Sequence, residues 1–233
     1  MLNTTETDAV INAFMTALMT TPFSDIRLRA VAEAADVPLA KLLMTYSTRL
    51  ELFEGFAKRI DEAVLADDDP DMAEEPARER LFDVFMRRFD ALLPHKLALI
   101  QLERDARRDP ALTMALGRIA SKSMARMAAS GDVDVDGARG AFVMVGLLQV
   151  YARVMRVFVR ESDEGQALTM AELDKALRQA ERRIGDLDGL VKLMRGEGGA
   201  NGGPLCRLRD RMRRRDGDDG GSHEDTAPTP EAA

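Results

Sequence analysis

Residues 26–53 read IRLRAVAEAADVPLAKLLMTYSTRLELF, and this stretch carries the most specific structural signal in the chain. Small side chains at Ala32 and Ala35 come just before a break at residues 36–38 (DVP), and a short apolar segment over residues 39–44 follows the break. Two helices can cross closely only where the side chains between them are small. The stretch therefore predicts a helix-turn-helix, whose second helix is pushed outward and can enter the major groove of DNA.

Apolar residues repeat at spacings of three and four on both sides of this stretch, which is the period of a helix. Thr48 and Glu51 fit a capping box, in which each side chain satisfies the other residue's free backbone N–H at the start of a helix. We find no alternating strand pattern and no repeat of fixed length. The predicted helices cover residues 5–20, 27–35, 39–44, 48–64, 77–93, 94–102, 110–127, 136–160 and 169–184, with an extension to residue 194 left open.

These helices predict an all-α protein with two domains. The acidic connector at residues 67–76 (DDDPDMAEEP) contains two prolines and marks the clearest internal boundary. It separates an N-terminal three-helix helix-turn-helix domain, residues 1–66, from a C-terminal helical bundle, residues 77–195. A glycine-rich linker, an arginine-rich segment and an acidic end predict a disordered tail over residues 196–233.

The composition argues against several classes of protein. Apolar residues make up 45% and charged residues 31% of the chain, which is typical of a globular protein. The single cysteine, Cys206, excludes a disulfide framework and a cysteine-based metal site. The sequence contains no Cys–His nucleophile pair, no phosphate-binding glycine motif and no metal-ligand spacing. We therefore expect no catalytic residues, no cofactor and no metal site.

Two further features concern the location of the protein. The N-terminus, MLNTTETD, carries acids rather than the basic region of a signal peptide. No uninterrupted apolar run reaches about 18 residues, the rough minimum for a membrane-spanning helix. These features predict a cytoplasmic protein.

The helix-turn-helix region resembles the TetR family of transcriptional regulators. Residues 31–37 (VAEAADV) match the second helix of the family pattern, and Tyr46 stands for the aromatic residue before the fourth helix. Thr48-Arg49 takes the place of the serine-lysine that starts the fourth helix, and Leu52-Phe53 matches the leucine-phenylalanine that follows. The rest of the chain agrees in the number and order of its long helices. The resemblance implies a dimeric repressor-type regulator that binds a palindromic operator in double-stranded DNA and responds to a small ligand.

The chain departs from the family pattern at three positions of this region. Asp36 replaces the turn glycine, at a position expected to need φ > 0, which Asp tolerates better than most residues. Leu43 replaces the recognition-helix tyrosine that meets a phosphate in the family, and Pro38 replaces a capping serine or threonine. The residues expected to contact DNA are Arg27, Arg29, Pro38, Leu39, Lys41, Met44, Thr45, Tyr46 and Arg49.

Charge weakens the prediction of DNA binding. Between residues 5 and 59 the chain has six basic and seven acidic residues, a balance of −1, and the whole chain carries −7. Neutralisation of phosphates dominates non-specific DNA affinity, so the bases must converge on one face to be effective. Arg27, Arg29, Lys41 and Arg49 are expected to converge there, whereas the alternative interpretation is a three-helix scaffold with a solvated basic face.

The larger domain is rich in Met and Phe, which suits a bundle that holds a small apolar ligand. The alternative is that these residues form an ordinary core. The candidate ligand-pocket residues are Phe85, Met86, Phe89, His95, Met124, Met127 and Phe142. Residues 81–90 and 169–174 also resemble an α-proteobacterial subgroup of TetR-like proteins. The resemblance implies that the last two long helices form a four-helix dimer interface, in which Gly137, Gly140 and Gly146 allow close helix approach.

A second function on the same fold stays open. Ubiquinone-biosynthesis accessory proteins resemble TetR regulators, bind lipid or quinone instead of DNA, and use a C-terminal amphipathic helix at the membrane. The acidic isoelectric point and the basic amphipathic segment at residues 205–215, which suits a weak contact with a membrane surface, favour this alternative. The absence of their tryptophan-containing segments argues against it.

Overall fold

The computed structural model of the protein describes residues 1–67, 70–163 and 165–194, and these residues form helices joined by short loops, with no strand among them. The all-α fold class is therefore confirmed, and the predicted helix boundaries differ from the observed ones by a few residues. Short 3-10 turns lie at Phe23–Asp25, Pro70–Glu74 and Leu93–His95. The helices are α1 (Thr4–Leu18), α2 (Leu28–Ala34), α3 (Leu39–Leu43), α4 (Arg49–Ala66), α5 (Ala77–Leu92), α6 (Lys96–Ala106), α7 (Pro110–Ser130), α8 (Gly137–Phe158) and α9 (Ala167–Met194).

Residues 1–185 form one unit with a continuous apolar core. Both the predicted helix-turn-helix domain and the predicted helical bundle contribute residues to this core. Phe14 of α1, Phe56 of α4, Phe89 of α5 and Phe158 of α8 are all fully buried in it. The predicted helix-turn-helix domain and the predicted larger domain thus share one core. The predicted disordered tail, with its basic segment, lies outside the described residues.

Polar side chains fix where the helices begin. Asn3 and Glu6 form a complete capping box on α1, and the Asp109 carboxylate accepts from two backbone N–H groups at the start of α7. Thr48 accepts from the Glu51 backbone N–H at 3.1 Å, as the sequence predicts. The predicted second half of that capping box, a hydrogen bond from the Thr48 N–H to Glu51, is wrong. Glu51 accepts from the N–H of Ser47 instead, at 2.7 Å.

The helix-turn-helix geometry follows from its turn. Asp36 has φ of +53°, which confirms the expected left-handed position, and the Val37 N–H then donates back to the Ala32 carbonyl at 3.0 Å. This reversal directs the buried side chains of Val37 and Leu42 into the space beside α2. Because Leu42 is fully buried, α3 is held by one side and presents the other outward.

The helix-turn-helix is joined to the larger domain at two places. The longer attachment is α4, which packs against α1 on one side and against α5 and α7 on the other. The second is α6, which packs against α1 and against the turn at Phe23–Asp25. There Asp105 accepts from the Phe23 N–H at 2.8 Å and from the Gln101 amide at 3.0 Å. Movement of the helix-turn-helix relative to the bundle therefore requires movement at α4 or at α6.

Within one chain, the three glycines of α8 have different surroundings, and their expected role between the helices of a dimer stays a prediction. A Cβ atom at Gly140 would lie 2.0 Å from the carbonyl carbon of Val135, which belongs to the loop just before the helix. A Cβ at Gly146 would meet nothing within 4 Å, and Gly137 has φ of +67° at the helix start. In the described chain, Gly140 thus permits the close approach of a loop rather than of a second helix.

We expect Gly140→Ala to lower the free energy of unfolding by at least about 2 kcal/mol, because the loop backbone at Val135 has no flexible end that can move aside. Gly117→Ala on α7 is the matched control, since a Cβ there meets nothing within 4 Å. It should leave stability unchanged or raise it by up to about 1 kcal/mol through helix propensity. Urea unfolding of both variants measures the difference, and equal losses would contradict this explanation.

Candidate nucleic-acid interface and effector site

The outward face of α3 is mainly apolar. Met44 is 74% exposed and Leu43 is 40% exposed, while Ala40 and Pro38 are also exposed and Leu39 is half-buried. Apolar side chains on a recognition helix can contact the methyl group of thymine, but they carry no hydrogen-bond code for the other bases. The sequence-predicted recognition face is therefore outward-facing, with little capacity for bidentate base contacts.

Lys41, the basic residue of α3, is paired within the chain. Its Nζ lies 2.5 Å from Glu6 Oε1 on α1, and the other Glu6 oxygen accepts from the Asn3 N–H at 2.8 Å. The hydrogen bond from Lys41 is the main reason that the pKa of Glu6 is lowered. Glu6 is therefore ionised at neutral pH and balances the charge that Lys41 would bring to a phosphate.

Arg49, at the start of α4, is also engaged within the chain. Its guanidinium donates to the carbonyls of Ser24 and Ile26 and lies over the Phe23 ring, 5.7 Å from the ring centroid. These contacts hold the segment that leads into α2. The arginine that takes the place of the family's lysine thus has a local structural role.

Thr45 and Tyr46 close the C-terminal end of α3. Thr45 Oγ1 accepts from the Leu2 N–H at 3.3 Å, which ties the N-terminus to the C-terminal end of α3. Tyr46 is half-buried above Gly55 of α4, where a Cβ would lie only 2.8 Å from the phenolic oxygen. Burial raises the pKa of Tyr46, so its hydroxyl keeps its proton at neutral pH.

Arg27 and Arg29 are the exposed bases of this face. They flank the start of α2, and within the part of the chain that the structure describes their guanidinium groups form no ion pair or hydrogen bond. Of the four bases expected to converge, two are therefore available for phosphates and two are engaged inside the protein. Sequence reasoning missed this division, because residues distant in sequence, Glu6 and Ser24, supply the partners.

Most of the predicted ligand-pocket residues lie in the core of the larger domain. Phe85, Phe89, Met124 and Met127 are fully buried, and Met86 packs against the same core from a half-buried position. Tyr151 of α8 joins them: its ring stacks on Phe89 at 6.0 Å and lies 6.4 Å from Phe85. The structure thus brings together an aromatic and methionine cluster from α5, α7 and α8.

The other two predicted pocket residues lie elsewhere. His95 packs edge-on against Phe56 of α4, with ring centroids 4.8 Å apart. Phe142 is 62% exposed on the surface of α8 and does not join the cluster. Phe142 was predicted from the Met and Phe content of the domain, and His95 from its position after Pro94 at a helix start. Neither signal shows what the side chain packs against.

A buried ionic cluster connects α4 to the larger domain. Asp61 of α4 and Arg88 of α5 are 1% and 3% exposed and form an ion pair. The second Asp61 oxygen accepts from the Ser123 hydroxyl at 2.8 Å and from Arg126 at 2.7 Å, both on α7. Sequence reasoning did not predict this cluster, although Asp61 occupies a position on the apolar face of α4.

An apolar hollow of about 190 Å³ opens between α5, α8 and α9. Its apolar lining includes Leu81, Val143, Leu147 and Leu177, and Arg78 is one of its charged residues. None of these belongs to the predicted pocket set. The signal that could have found them is the i, i+4 spacing of Leu81 with Phe85 and of Leu147 with Tyr151, which places each pair on one helix face.

Two further observations bear on the class of site. Within residues 1–67, 70–163 and 165–194, no group of three His, Cys, Asp or Glu side chains could hold a metal ion. One helix in those residues, Gly137–Phe158, is long and apolar enough to span a membrane by length and composition, with a mean hydropathy of 1.5 over its best window. The sequence predicted this helix over residues 136–160 but not its apolar span, because Arg153 and Arg156 interrupt the apolar run.

The arrangement of these helices matches solved TetR-type regulators. The structure of the TetR transcriptional regulator from Nitrosomonas europaea ATCC 19718 matches with a TM-score of 0.60 and 17% identity, over 75% of this chain and 97% of that one. A TetR transcriptional regulator from Rhodococcus sp. RHA1 matches with a TM-score of 0.52 and 11% identity, over 76% and 95%. No protein-family model and no curated protein matches the chain. The protein therefore has the TetR-like fold, as its helix-turn-helix implies, while the α-proteobacterial subgroup stays a prediction.

His95 makes the stability of the folded chain depend on pH near neutrality. Its burial, and secondarily the positive charge of Arg59, lower the pKa of His95 below its ordinary value of about 6.5. Just below pH 6.5, the His95 side chain therefore binds a proton more readily in the unfolded chain than in the folded chain. This contribution to stability is complete above about pH 6.5 and is lost as the pH falls below that value.

We expect the free energy of unfolding to fall between about pH 7 and about pH 5.5, and His95→Gln to flatten this part of the profile. Urea unfolding at several pH values measures the slope. His223→Gln, which changes the chain's other histidine, should leave the slope as in the unchanged protein. The carboxylates with lowered pKa, such as Glu6 and Asp174, act at lower pH. An unchanged slope in His95→Gln would contradict this assignment.

Proposed function

We propose that the protein is a dimeric DNA-binding transcriptional regulator that acts in the cytoplasm and responds to a small apolar ligand. The observation that carries this proposal is the helix-turn-helix itself: Asp36 makes the left-handed turn, Leu42 anchors α3, and the opposite face of α3 is exposed. The TetR-like fold of the whole unit supports the same conclusion, because it joins that motif to a helical bundle with room for a ligand.

The proposed DNA contacts divide into two kinds. Arg27 and Arg29 bind phosphates, since they are exposed and have no partner among the described residues. Met44 and the neighbouring apolar side chains of α3 meet base edges, and thymine methyl groups suit them best. Lys41 can reach a phosphate only in exchange for its contact with Glu6. We therefore expect a small number of phosphate contacts and a shallow salt dependence.

The test of DNA binding is selection from randomised duplex DNA at low and moderate salt, followed by sequencing of the retained fraction. We expect an enriched palindrome, and a roughly ten- to hundredfold loss of affinity for it in the double variant Arg27→Ala/Arg29→Ala. Glu6→Gln should have the opposite effect and strengthen binding, because it releases Lys41.

The matched control is Arg108→Ala/Arg118→Ala, which removes two exposed arginines of the larger domain, one just after α6 and one on α7. It should leave affinity for the selected sequence within about twofold of the unchanged protein, apart from a small long-range charge effect. Failure to enrich any palindrome would refute DNA recognition. An equal loss in the control would show that only net charge matters.

The proposed dimer uses exposed apolar side chains of the last two helices. Phe142 and Val145, three residues apart on α8, are 62% and 53% exposed, and Leu168 and Met170 of α9 are also exposed. Phe142 and Val145 lie near the N-terminal end of α8, whereas Leu168 lies beside Val157 near the C-terminal end, so exposed apolar side chains occur at both ends of the helix. Exposed apolar side chains on one helix indicate an interaction surface. A second copy is the proposed occupant, because two-fold pairing of this face would give two recognition helices for a palindrome.

We expect the protein to sediment at twice its chain mass of 25.7 kDa, and the double variant Phe142→Asp/Val145→Asp to sediment as a monomer. Two buried charges in an apolar interface are strongly unfavourable, so the dissociation constant should rise more than about a hundredfold. Met114→Asp, which charges an equally exposed side chain on α7, should remain dimeric. A monomeric parent protein, or a dimer in which the α8 variant changes nothing, would contradict the proposed interface.

A lipid- or quinone-binding auxiliary protein without DNA binding is the second candidate function. The engagement of Lys41 and Arg49 inside the chain favours it, because it removes half of the expected phosphate contacts. The same selection experiment separates the two functions when it is paired with mass spectrometry of co-purified lipid and with retention on anionic liposomes. An absent palindrome together with a bound lipid would replace the regulator by this second function.

A further inference from the structure

Arg88 has an unusual environment for an arginine. It lies 3% exposed within the aromatic and methionine cluster, and its guanidinium carbon is 5.5 Å from the centroid of the Tyr151 ring. Burial alone would lower the pKa of Arg88, but the neighbouring Tyr151 and Asp61 raise it above its ordinary value. Arg88 is therefore a permanent positive charge inside an apolar core.

The hydrogen-bonding capacity of Arg88 is only partly used. One terminal nitrogen donates to Asp61, and the other donates to the Ser123 hydroxyl at 3.2 Å. Its Nε is buried and has no hydrogen-bond partner among the described residues. An unsatisfied buried donor is costly, and the Nε edge of a guanidinium is well suited to a carboxylate.

Asp61 can release Arg88 without becoming an isolated charge. Its other oxygen already accepts from Ser123 and from Arg126, and Arg126 is 41% exposed, so its side chain can adjust. A buried carboxylate that lost every partner would be strongly unfavourable. Because two partners remain, exchange of the Arg88 contact between Asp61 and another anion is physically accessible.

The apolar hollow, which Arg88 itself does not line, lies beside the same two helices, α5 and α8. The apolar hollow is lined by Leu81 of α5 and Leu147 of α8. Four residues further along each helix stand Phe85 and Tyr151, which contact the cluster that surrounds Arg88. Residues 81 and 88 are two helical turns apart, roughly 10 Å along the axis at the usual rise per residue. The apolar body of a small ligand in the hollow can thus extend toward Arg88 when the Phe85 ring moves.

We infer that Arg88 anchors the acidic group of the effector, a small apolar carboxylate with an aryl or short acyl body, and that this group takes the place of Asp61. This inference rests on the proposed regulator function, and it specifies the chemical class of its ligand. Asp61 belongs to α4, the helix that carries the helix-turn-helix, so the exchange removes one of the contacts that fix α4 to α5. The ligand then favours a different position of the recognition helix.

The test is ligand binding by the full chain without DNA, measured calorimetrically with benzoate, 2-naphthoate and decanoate and with their neutral amides. We expect at least one acid to bind more than about tenfold tighter than its amide, since only the acid pairs with Arg88. Asp61→Asn should tighten binding of that acid by about tenfold or more, because it removes the competing charge. A purely structural role of Arg88 predicts no such gain.

The variants Asp61→Asn/Arg88→Met and Arg118→Met complete the experiment. The first removes both buried charges together, which avoids the isolated charge that could unfold Arg88→Met alone, and it should abolish the preference for the acid. The second removes an exposed arginine and should keep that preference. Equal binding of acids and amides, a preference that survives the double variant, or no binding of any probe would overturn the inference. Because no step uses DNA, these outcomes are independent of whether a palindrome is found.

Discussion

The buried ion pair between Asp61 and Arg88 is the constraint on which the arrangement of the helices depends. Removal of one partner from such a pair costs about 3–5 kcal/mol, a large share of the stability of a domain, because the remaining charge stays in an apolar core. The pair joins α4 to α5, and Ser123 and Arg126 extend it to α7. An apolar contact would allow α4 to slide, whereas ion pairs and hydrogen bonds of this kind fix its register and rotation.

The electrostatics of the helix-turn-helix follow a different principle. Two of its basic residues are engaged and two are exposed. Lys41 pairs α3 with Glu6 of α1, and Arg49 holds the segment that leads into α2, while Arg27 and Arg29 remain free among the described residues. An exposed ion pair contributes little to stability, but it sets how much positive charge a phosphate meets. The acidic balance of this segment therefore need not abolish DNA binding. Under the proposed function, DNA recognition would depend on shape and apolar contacts more than on charge.

The sequence predicted the parts of this structure that local patterns determine. Helical periodicity, the alanines before the turn and the glycine-like position of Asp36 depend on neighbouring residues, and the observed φ of +53° agrees. The pairing of Lys41 with Glu6 and the contact of Arg49 with Ser24 could not be predicted, because each joins residues that only the tertiary fold brings together. The same limit applies to Phe142, whose spacing fits a core position although it is exposed.

The helix-turn-helix contacts the larger domain through α6 and through α4, and these two contacts determine how the larger domain can influence α3. Near α6, the Phe23 N–H is held by the Asp105 carboxylate, a short-range contact that can act as a fixed point. Along α4, the attachment extends over several turns, from Leu52 to Val64, and includes the ionic cluster at Asp61. A small shift of α4 while the Asp105 contact persists would turn the three short helices about that point. Under the proposed function, a displacement at the buried cluster would therefore reach α3 through α4 and would change the separation of the two recognition helices in a symmetric dimer.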